Sequence, residues 1–304
     1  MNQRRDFLKV ASTAIIGSNV LGSNSLVASA NAPYKFKMNY GPHLGMFEAS
    51  AGKDIVAQLQ FMADQGFTAF EDNGMPSRPV EEQKKIGETL AKLGMTMGVF
   101  VIEGGDNWKT SLATGKQEFV DRFVQACKDS VEVAKRCGAK WMTVVPGYFE
   151  RNLPIGIQTG HVIEALRKGA AVFEPHGLIM VLEPLSDNPD LFLRTSDQGY
   201  MICKAVNSPS CKLLFDIYHI QRNEGHIIPH IDWAWSEIAY VQIGDNPGRN
   251  EPTTGEINYQ NIFKHLYKKG YKGVLGMEHG NYYPGKEGNQ KLIDAYKFSD
   301  SFSI

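Results

Sequence analysis

From about residue 36 onward, short apolar runs alternate along the chain with longer amphipathic stretches. Apolar, β-branched runs of roughly four to eight residues predict buried strands, whereas apolar residues three and four positions apart predict helices that bury one face. The first such helix carries Ile55, Leu59 and Met62 on one face. The pattern predicts strands over residues 36–40, 68–71, 95–102, 141–145, 178–183, 212–217, 238–243 and 274–278.

Several of the predicted helices end in a glycine directly before a strand. Glycine takes the left-handed backbone conformation that ends a helix, which other residues resist. Repeated helix–glycine–strand units indicate parallel strands joined by helices, and eight strands in a chain of this length predict an α/β fold, a single-domain (β/α)8 barrel. An open doubly wound sheet is the alternative, but no Gly-x-Gly-x-x-Gly motif follows the first strand. The glycines are Gly66, Gly94, Gly138, Gly177 and Gly270.

The first thirty residues differ from the rest of the chain. Arg4 and Arg5, followed by Phe-Leu-Lys after one residue, precede a mildly apolar run and then small residues at the spacing that signal peptidase accepts. The twin arginines resemble a Tat export signal, and the apolar run is too short for a permanent membrane anchor. We therefore expect residues 1–32 to be a Tat-type signal peptide and residues 33–304 to be a periplasmic barrel domain. A cytoplasmic helix with two chance arginines is the alternative.

The composition limits the kinds of partner. The chain has 32 basic and 33 acidic side chains, for a formal net charge of −1. Without a basic excess a nucleic-acid partner is not expected, because such binding relies on neutralising phosphates, and a small polar substrate fits better. The chain has no Cys-x-x-Cys pair, so a thiolate metal site is not expected. We expect buried free thiols at Cys127, Cys137, Cys203 and Cys211.

Four of the later predicted strands end in polar residues: Glu183, Asp216, Gln242 and Glu278. In a barrel of this kind the active site lies at the C-terminal ends of the strands. A carboxylate beside an apolar core needs a partner, and any one of these residues alone would also fit a helix cap or a salt bridge. Together they are oxygen donors that suit Mg²⁺ or Mn²⁺ better than Zn²⁺. We therefore predict a divalent-metal site formed by these four residues.

One long motif carries a family resemblance. Residues 242–252, Gln-Ile-Gly-Asp-Asn-Pro-Gly-Arg-Asn-Glu-Pro, continue into Gly-Glu-Ile-Asn-Tyr and closely resemble the corresponding stretch of hydroxypyruvate isomerases. Leu-Glu-Pro at 182–184 and Phe-Asp-Ile-Tyr-His at 215–219 match the same family. These enzymes belong to the xylose-isomerase-like TIM-barrel superfamily, in which the ketose 3-epimerases are relatives. The resemblance covers essentially the whole mature chain.

The resemblance implies roles for individual residues. It implies that the four strand-end residues bind the metal and that Glu183 and Glu278 are also the acid–base pair that moves a proton. Many superfamily members have His where this chain has Gln242, although hydroxypyruvate isomerases accept Gln. Because a neutral amide is a weaker ligand, this departure leaves the identity of the metal open between Mg²⁺ and Mn²⁺.

Substrate-binding residues are predicted as well. His219 and Arg249 are similar in position to family residues that hold the oxygens of the substrate. For His219 the alternative is a structural bond to the backbone, and for Arg249 it is a loop salt bridge with Asp245 or Glu251.

Two further substrate contacts are predicted from the ends of the early strands. Glu71 ends the second predicted strand, where a buried salt bridge is the alternative to a place in the pocket. His43 follows the first predicted strand and is placed where it would contact the substrate.

Taken together, these features predict a metal-dependent isomerase or epimerase that acts on a sugar or a small hydroxy-carbonyl compound. The fold group also implies a possible homodimer. A lyase that acts on 3-keto-glycosides through the same site and a non-catalytic sugar-binding protein are the alternatives. An endonuclease-IV-like phosphodiesterase would need a His-rich zinc site and a basic surface, and the sequence indicates neither.

Overall fold

A computed structural model of the protein describes residues 33–304. The predicted signal peptide, residues 1–32, lies outside the described residues, so export to the periplasm stays a prediction. The strands are β1 Asn39–Gly41, β2 Ala69–Phe70, β3 Thr96–Met97, β4 Val99–Val101, β5 Trp141–Val144, β6 Ile179–Leu182, β7 Cys211–Asp216, β8 Ile238–Gln242 and β9 Val274–Gly276. The α-helices are α1 Glu48–Ala51, α2 Ile55–Asp64, α3 Val80–Leu93, α4 Gln117–Cys137, α5 Ile155–Phe173, α6 Ser196–Val206, α7 Ile217–Asn223, α8 Ile227–Ala234, α9 Tyr259–Lys268 and α10 Gly285–Asp300.

The strands form a parallel barrel. Seven strands are hydrogen-bonded in the order β1-β9-β8-β7-β6-β5-β4, and β2 pairs with β3. A parallel bridge between His43 and Glu71 joins the ends of β1 and β2, and β3 continues into β4 on the same stretch of chain. The arrangement confirms the predicted (β/α)8 TIM barrel.

All eight predicted strands are present, most with ends one or two residues from the predicted bounds, and two of them differ further. The first begins at Asn39 rather than at residue 36, because pairing with β9 starts there. The third is divided at Gly98 into β3 and β4. A side chain at Gly98 would place its Cβ 2.3 Å from the hydroxyl of Tyr240, which enters the barrel interior from β8. The N–H of Val99 donates to this hydroxyl, so the strand is interrupted where Tyr240 contacts it.

The helix ends follow the sequence prediction. The five glycines that were expected to end helices have φ between 64° and 95°, the region that favours glycine. Each of these residues lets the chain turn back toward the next strand. No helix within residues 33–304 is long and apolar enough to cross a bilayer.

The core has an inner and an outer part. The inner part lies inside the barrel and consists of one small apolar layer, whereas the larger outer part fills the space between strands and helices. The four cysteines are free and buried, as predicted. The inner layer supports the C-terminal end of the barrel, where the polar strand ends meet. Its residues are Ala69, Val99, Val181, Leu214, Tyr240 and Val274.

Candidate active site

The parallel strands bring the four predicted metal ligands to one end of the barrel. Asp216 and Gln242 are paired neighbours at the ends of β7 and β8. Glu183 directly follows β6, and Glu278 comes two residues after β9. Ligand atoms of the three carboxylates, together with His219, all lie within 4.8 Å of one another. The fold therefore brings Glu183, Asp216 and Glu278 into one cluster and places Gln242 on the strand next to Asp216, while metal binding by these residues stays a prediction.

Asp216 has two tasks at once. Helix α7 starts directly after β7, and Oδ1 of Asp216 accepts hydrogen bonds from the backbone N–H groups of Tyr218 and His219, at 2.7 and 3.4 Å. This cap fixes the first turn of the helix. The other oxygen, Oδ2, remains directed at the cluster, and His219, one helical turn later, comes to the same side.

Arg249 lies inside the cluster. Its Nη2 donates to Oδ2 of Asp216 at 3.0 Å and to Oε2 of Glu278 at 2.7 Å. Its guanidinium stacks 4.8 Å above the ring of Tyr218. Among the described residues we find no salt bridge of Arg249 to Asp245 or to Glu251, whose oxygens instead accept backbone N–H groups. The loop salt bridge considered as an alternative is therefore absent from residues 33–304.

The hydrogen bonds of His219 determine its tautomer. The backbone N–H of Ser186 can only donate, and it points at Nδ1 of His219 at 3.2 Å. The proton of the neutral ring is therefore on Nε2. This atom is buried without a hydrogen-bond partner, 3.5 Å from Asp216 Oδ2 and 3.8 Å from Glu183 Oε1. His219 thus presents an N–H donor to the site, which favours contact with a substrate oxygen over metal ligation.

Gln242 and Glu71 form a buried pair below the cluster. Nε2 of Gln242 donates to Oε1 of Glu71 at 2.8 Å, and the hydroxyl of Tyr240 donates to Oε2 at 2.8 Å. Glu71 is 2% exposed, and no salt bridge of Glu71 is found within residues 33–304. Both of its oxygens are already bonded, so the geometry does not support the predicted substrate contact. The buried salt bridge that was the alternative for Glu71 is also absent from residues 33–304.

His43 and Asn73 complete the surroundings of Glu278. His43 lies beside the site, with its ring nitrogens 2.8 Å from the carbonyl oxygen of Leu44 and 3.1 Å from that of His279. Its predicted substrate contact stays a prediction. Asn73, which the sequence analysis did not single out, donates from Nδ2 to Oε1 of Glu278 at 2.7 Å. Its position two residues past Glu71, just beyond the end of β2, was the available signal.

The electrostatics of the cluster are unbalanced. Burial, reinforced by the charges of Glu278 and Asp216, raises the pKa of Glu183 well above its usual range. Burial also raises the pKa of Glu278 well above that range, although Arg249 opposes the shift. Burial raises the pKa of Glu71 to about 7. One guanidinium therefore does not offset the carboxylates that meet here.

The side chains present fit a divalent cation. Oε1 of Glu183 and Oε1 of Gln242 are buried acceptor atoms without a hydrogen-bond partner. A buried acceptor left without a partner is costly, so such atoms indicate a missing donor or cation. Carboxylate and amide oxygens are the donors that Mg²⁺ and Mn²⁺ prefer. Glu183, Asp216, Gln242 and Glu278 would hold the cation.

Comparison with known proteins places the chain in a family. Residues 59–299 match the family described as xylose isomerase-like TIM barrel. The chain belongs to this family. A curated relative is the hydroxypyruvate isomerase of Escherichia coli (strain K12), which is 28% identical over 238 residues, covering 74% of this chain and 88% of the relative. The family and this relative confirm that the chain is an enzyme of the isomerase or epimerase class.

Solved structures show the same fold. A protein from Brucella melitensis described as an AP endonuclease of family 2 has a TM-score of 0.72 at 23% identity, over 83% of this chain and 96% of that one. The D-psicose 3-epimerase of Clostridium cellulolyticum H10 has a TM-score of 0.71 at 18% identity, over 86% and 98%. At such identities the likeness concerns the fold alone, because one barrel carries many chemistries.

Proposed function

We propose that the protein is a divalent-metal-dependent isomerase or epimerase of a sugar or small hydroxy-carbonyl compound, similar in activity to hydroxypyruvate isomerase. The observation that carries the proposal is the cluster of three carboxylates at the barrel mouth, with Gln242 on the neighbouring strand, because one buried oxygen of Glu183 and one of Gln242 have no partner. Mg²⁺ or Mn²⁺ is the proposed cation. The substrate reaches these groups from the C-terminal end of the barrel.

Both reaction types need the same proton transfer. A carbonyl moves along a sugar, or the carbon beside it inverts, after a proton α to the carbonyl is removed and an enediolate forms. The bound cation would stabilise the negative charge that develops on the oxygens. Glu183 and Glu278 are the groups proposed to remove and return the proton.

The two glutamates differ in how they are held. Glu278 is bonded through both oxygens, to Asn73 and to Arg249, so its position is fixed. Glu183 has one oxygen without a hydrogen-bond partner. No hydrogen bond to either carboxylate oxygen of Glu183 is found within residues 33–304, so one oxygen can bind the cation while the other accepts the first proton. Glu278 then serves the opposite face or returns the proton.

Two further side chains are proposed to bind the substrate. The Nε2–H of His219 is buried and unpartnered, so it is available to a substrate hydroxyl or carbonyl oxygen. Arg249 already contacts two carboxylates of the cluster, and its positive charge offsets the charge that develops on substrate oxygens.

The test is proton–deuterium exchange into candidate substrates in heavy water with added Mn²⁺. Hydroxypyruvate, tetruloses, pentuloses, hexuloses and 3-keto-glycosides are the compounds to screen. We expect Glu183→Gln and Glu278→Gln each to slow exchange by about 10²–10⁴-fold, the usual contribution of general acid–base catalysis. Glu237→Gln is the matched control, because Glu237 is as buried as Glu183 but lies at the other end of the barrel, directly before β8. Unchanged exchange in either site variant rejects the assigned pair, and product mass separates isomerisation from elimination.

A further inference from the structure

Glu71 is a carboxylate near the site, and the proposed proton transfer does not use it. It is 2% exposed and lies against Gln242, one of the four proposed ligands. Its two oxygens accept hydrogen bonds from two different side chains of β8, Tyr240 and Gln242. Its surroundings therefore indicate a task directed at Gln242 and not at the substrate.

A chain of directional hydrogen bonds leads from the backbone to Gln242. The N–H of Val99 can only donate, and it donates to the hydroxyl oxygen of Tyr240 at 3.3 Å. The hydroxyl proton of Tyr240 is then free for Oε2 of Glu71, at 2.8 Å. When Glu71 is ionised, Oε1 can only accept, so the end of the Gln242 amide that faces it is the N–H₂ end. Each bond in the chain fixes the direction of the next.

The opposite end of the amide is an acceptor without a partner. Because an amide carries its donor and its acceptor on different atoms, an Nε2 turned toward Glu71 leaves Oε1 turned away from it. Oε1 of Gln242 is one of the buried acceptors that have no partner, and Gln242 is 0% exposed. An amide nitrogen in that place could not serve a cation, since it has no available lone pair. The orientation of this amide therefore decides whether Gln242 is a ligand.

Two glycines provide the space for this arrangement. A Cβ at Gly276 would lie 1.8 Å from Oε2 of Glu71, and a Cβ at Gly98 would lie 2.3 Å from the hydroxyl of Tyr240. Neither glycine has positive φ, so the requirement is for space and not for an unusual backbone. The barrel interior has room for the Glu71 carboxylate and the Tyr240 hydroxyl only because both positions lack a side chain.

We propose that Glu71 is a positioning residue that fixes the amide of Gln242 with its oxygen toward the divalent cation. The inference rests on the proposed metal site. A freely rotating amide would present its nitrogen to the cation part of the time. Because Glu71 fixes the amide of Gln242, its oxygen always faces the cation, and a neutral amide can serve as a ligand. Groups that orient metal ligands in this way typically contribute about ten- to a hundredfold to metal affinity.

The test measures Mn²⁺ affinity by EPR titration, with Glu71→Gln in two backgrounds. The hydroxyl of Tyr240 still needs an acceptor, so the new amide turns its oxygen to Tyr240 and its N–H₂ to Gln242, which then flips. We expect Mn²⁺ affinity to fall about ten- to a hundredfold in the wild-type background. In the Gln242→Ala background the same substitution is expected to change affinity by less than about threefold, because the flipped ligand is already gone.

The double-mutant comparison separates positioning from charge. An equal loss in both backgrounds would mean that Glu71 acts through space by its charge, and it would overturn the inference, as would an unchanged affinity in the wild-type background. Glu237→Gln, which removes a buried carboxylate at the other end of the barrel, should leave Mn²⁺ affinity unchanged. If Glu71→Gln does not fold, Gly276→Ala displaces the same carboxylate and is measured in the same two backgrounds.

The wild-type protein distinguishes this inference from the proposed function. If it binds no Mn²⁺, both proposals fail. If it binds Mn²⁺ and exchanges substrate protons while Glu71→Gln retains full affinity, the proposed function stands and the positioning role of Glu71 is rejected.

Discussion

Buried acidic side chains at the two ends of the barrel have different charged partners. Glu237, at the N-terminal end of β8, is 5% exposed and bonds to Lys212 at 2.6 Å and to Lys204 at 3.4 Å. At the C-terminal end, Glu183 is 6% exposed, and its closest ionisable neighbours are other carboxylates and a neutral histidine. Lysines of the chain neutralise the charge of Glu237, whereas no lysine or arginine pairs with Glu183 within residues 33–304.

The difference separates stability from function. A buried carboxylate with two lysine partners needs nothing from outside the protein. A group of buried carboxylates around one arginine is costly in the free protein and becomes favourable when a cation binds. The C-terminal end is therefore organised to bind, and the N-terminal end to hold the fold. Each of the following predictions perturbs one end and measures stability, and the first two also measure Mn²⁺ affinity.

The largest effect is expected from Asp216→Asn. Asparagine keeps the oxygen that caps α7 but removes a charge that the cation needs, so Mn²⁺ affinity should fall by at least about a hundredfold. In EDTA the melting temperature should change by less than about 2 °C, because the cap remains, Arg249 keeps its bond to Glu278, and reduced repulsion among the carboxylates offsets the lost Arg249–Asp216 bond. EPR titration and thermal melting give the two values. A large loss of stability with intact affinity would assign Asp216 to the fold and not to the metal.

A smaller effect, and an opposite pattern, is expected from Lys212→Met. Methionine keeps the apolar stem, but Glu237 loses its shorter salt bridge and retains only Lys204. The free energy of unfolding should fall by about 2 kcal/mol, as for a buried charge with an incomplete set of partners. Mn²⁺ affinity should stay within about twofold of wild type, since the two sites share no partner. Urea denaturation measures the first quantity, and a change in affinity beyond this range would show that the two ends are coupled.

The smallest effect concerns pH in the absence of divalent cations. Burial raises the pKa of Glu71 from 4.5 to about 7, so the folded chain holds this proton more tightly than the unfolded chain does. The stabilisation is fully present below about pH 4.5 and is lost as pH rises through about 7. In EDTA, the free energy of unfolding of the wild type relative to Glu71→Gln should therefore decrease across this range. A difference that stays level with pH contradicts the raised pKa.

The meeting of the four strand ends could be predicted from the sequence. Each of Glu183, Asp216, Gln242 and Glu278 follows an apolar run, and in a parallel barrel all strands end at the same face. Because chain direction and the apolar pattern are local properties, the sequence alone predicts that these strand ends lie at one face of the barrel. The export signal and the substrate are not tested by the fold, and they remain predictions.

The orientation of the polar groups was decided by tertiary structure alone. Arg249 reaches Glu278 instead of a neighbour in its own loop, Asn73 bonds a glutamate 205 positions away, and Gln242 bonds Glu71 across 171 positions. A side chain in a barrel finds its hydrogen-bond partner on another strand, and no local pattern encodes which one. The sequence by itself therefore determined which oxygens meet at the mouth. Only the folded barrel decided which of them are already bonded and which remain free for a ligand.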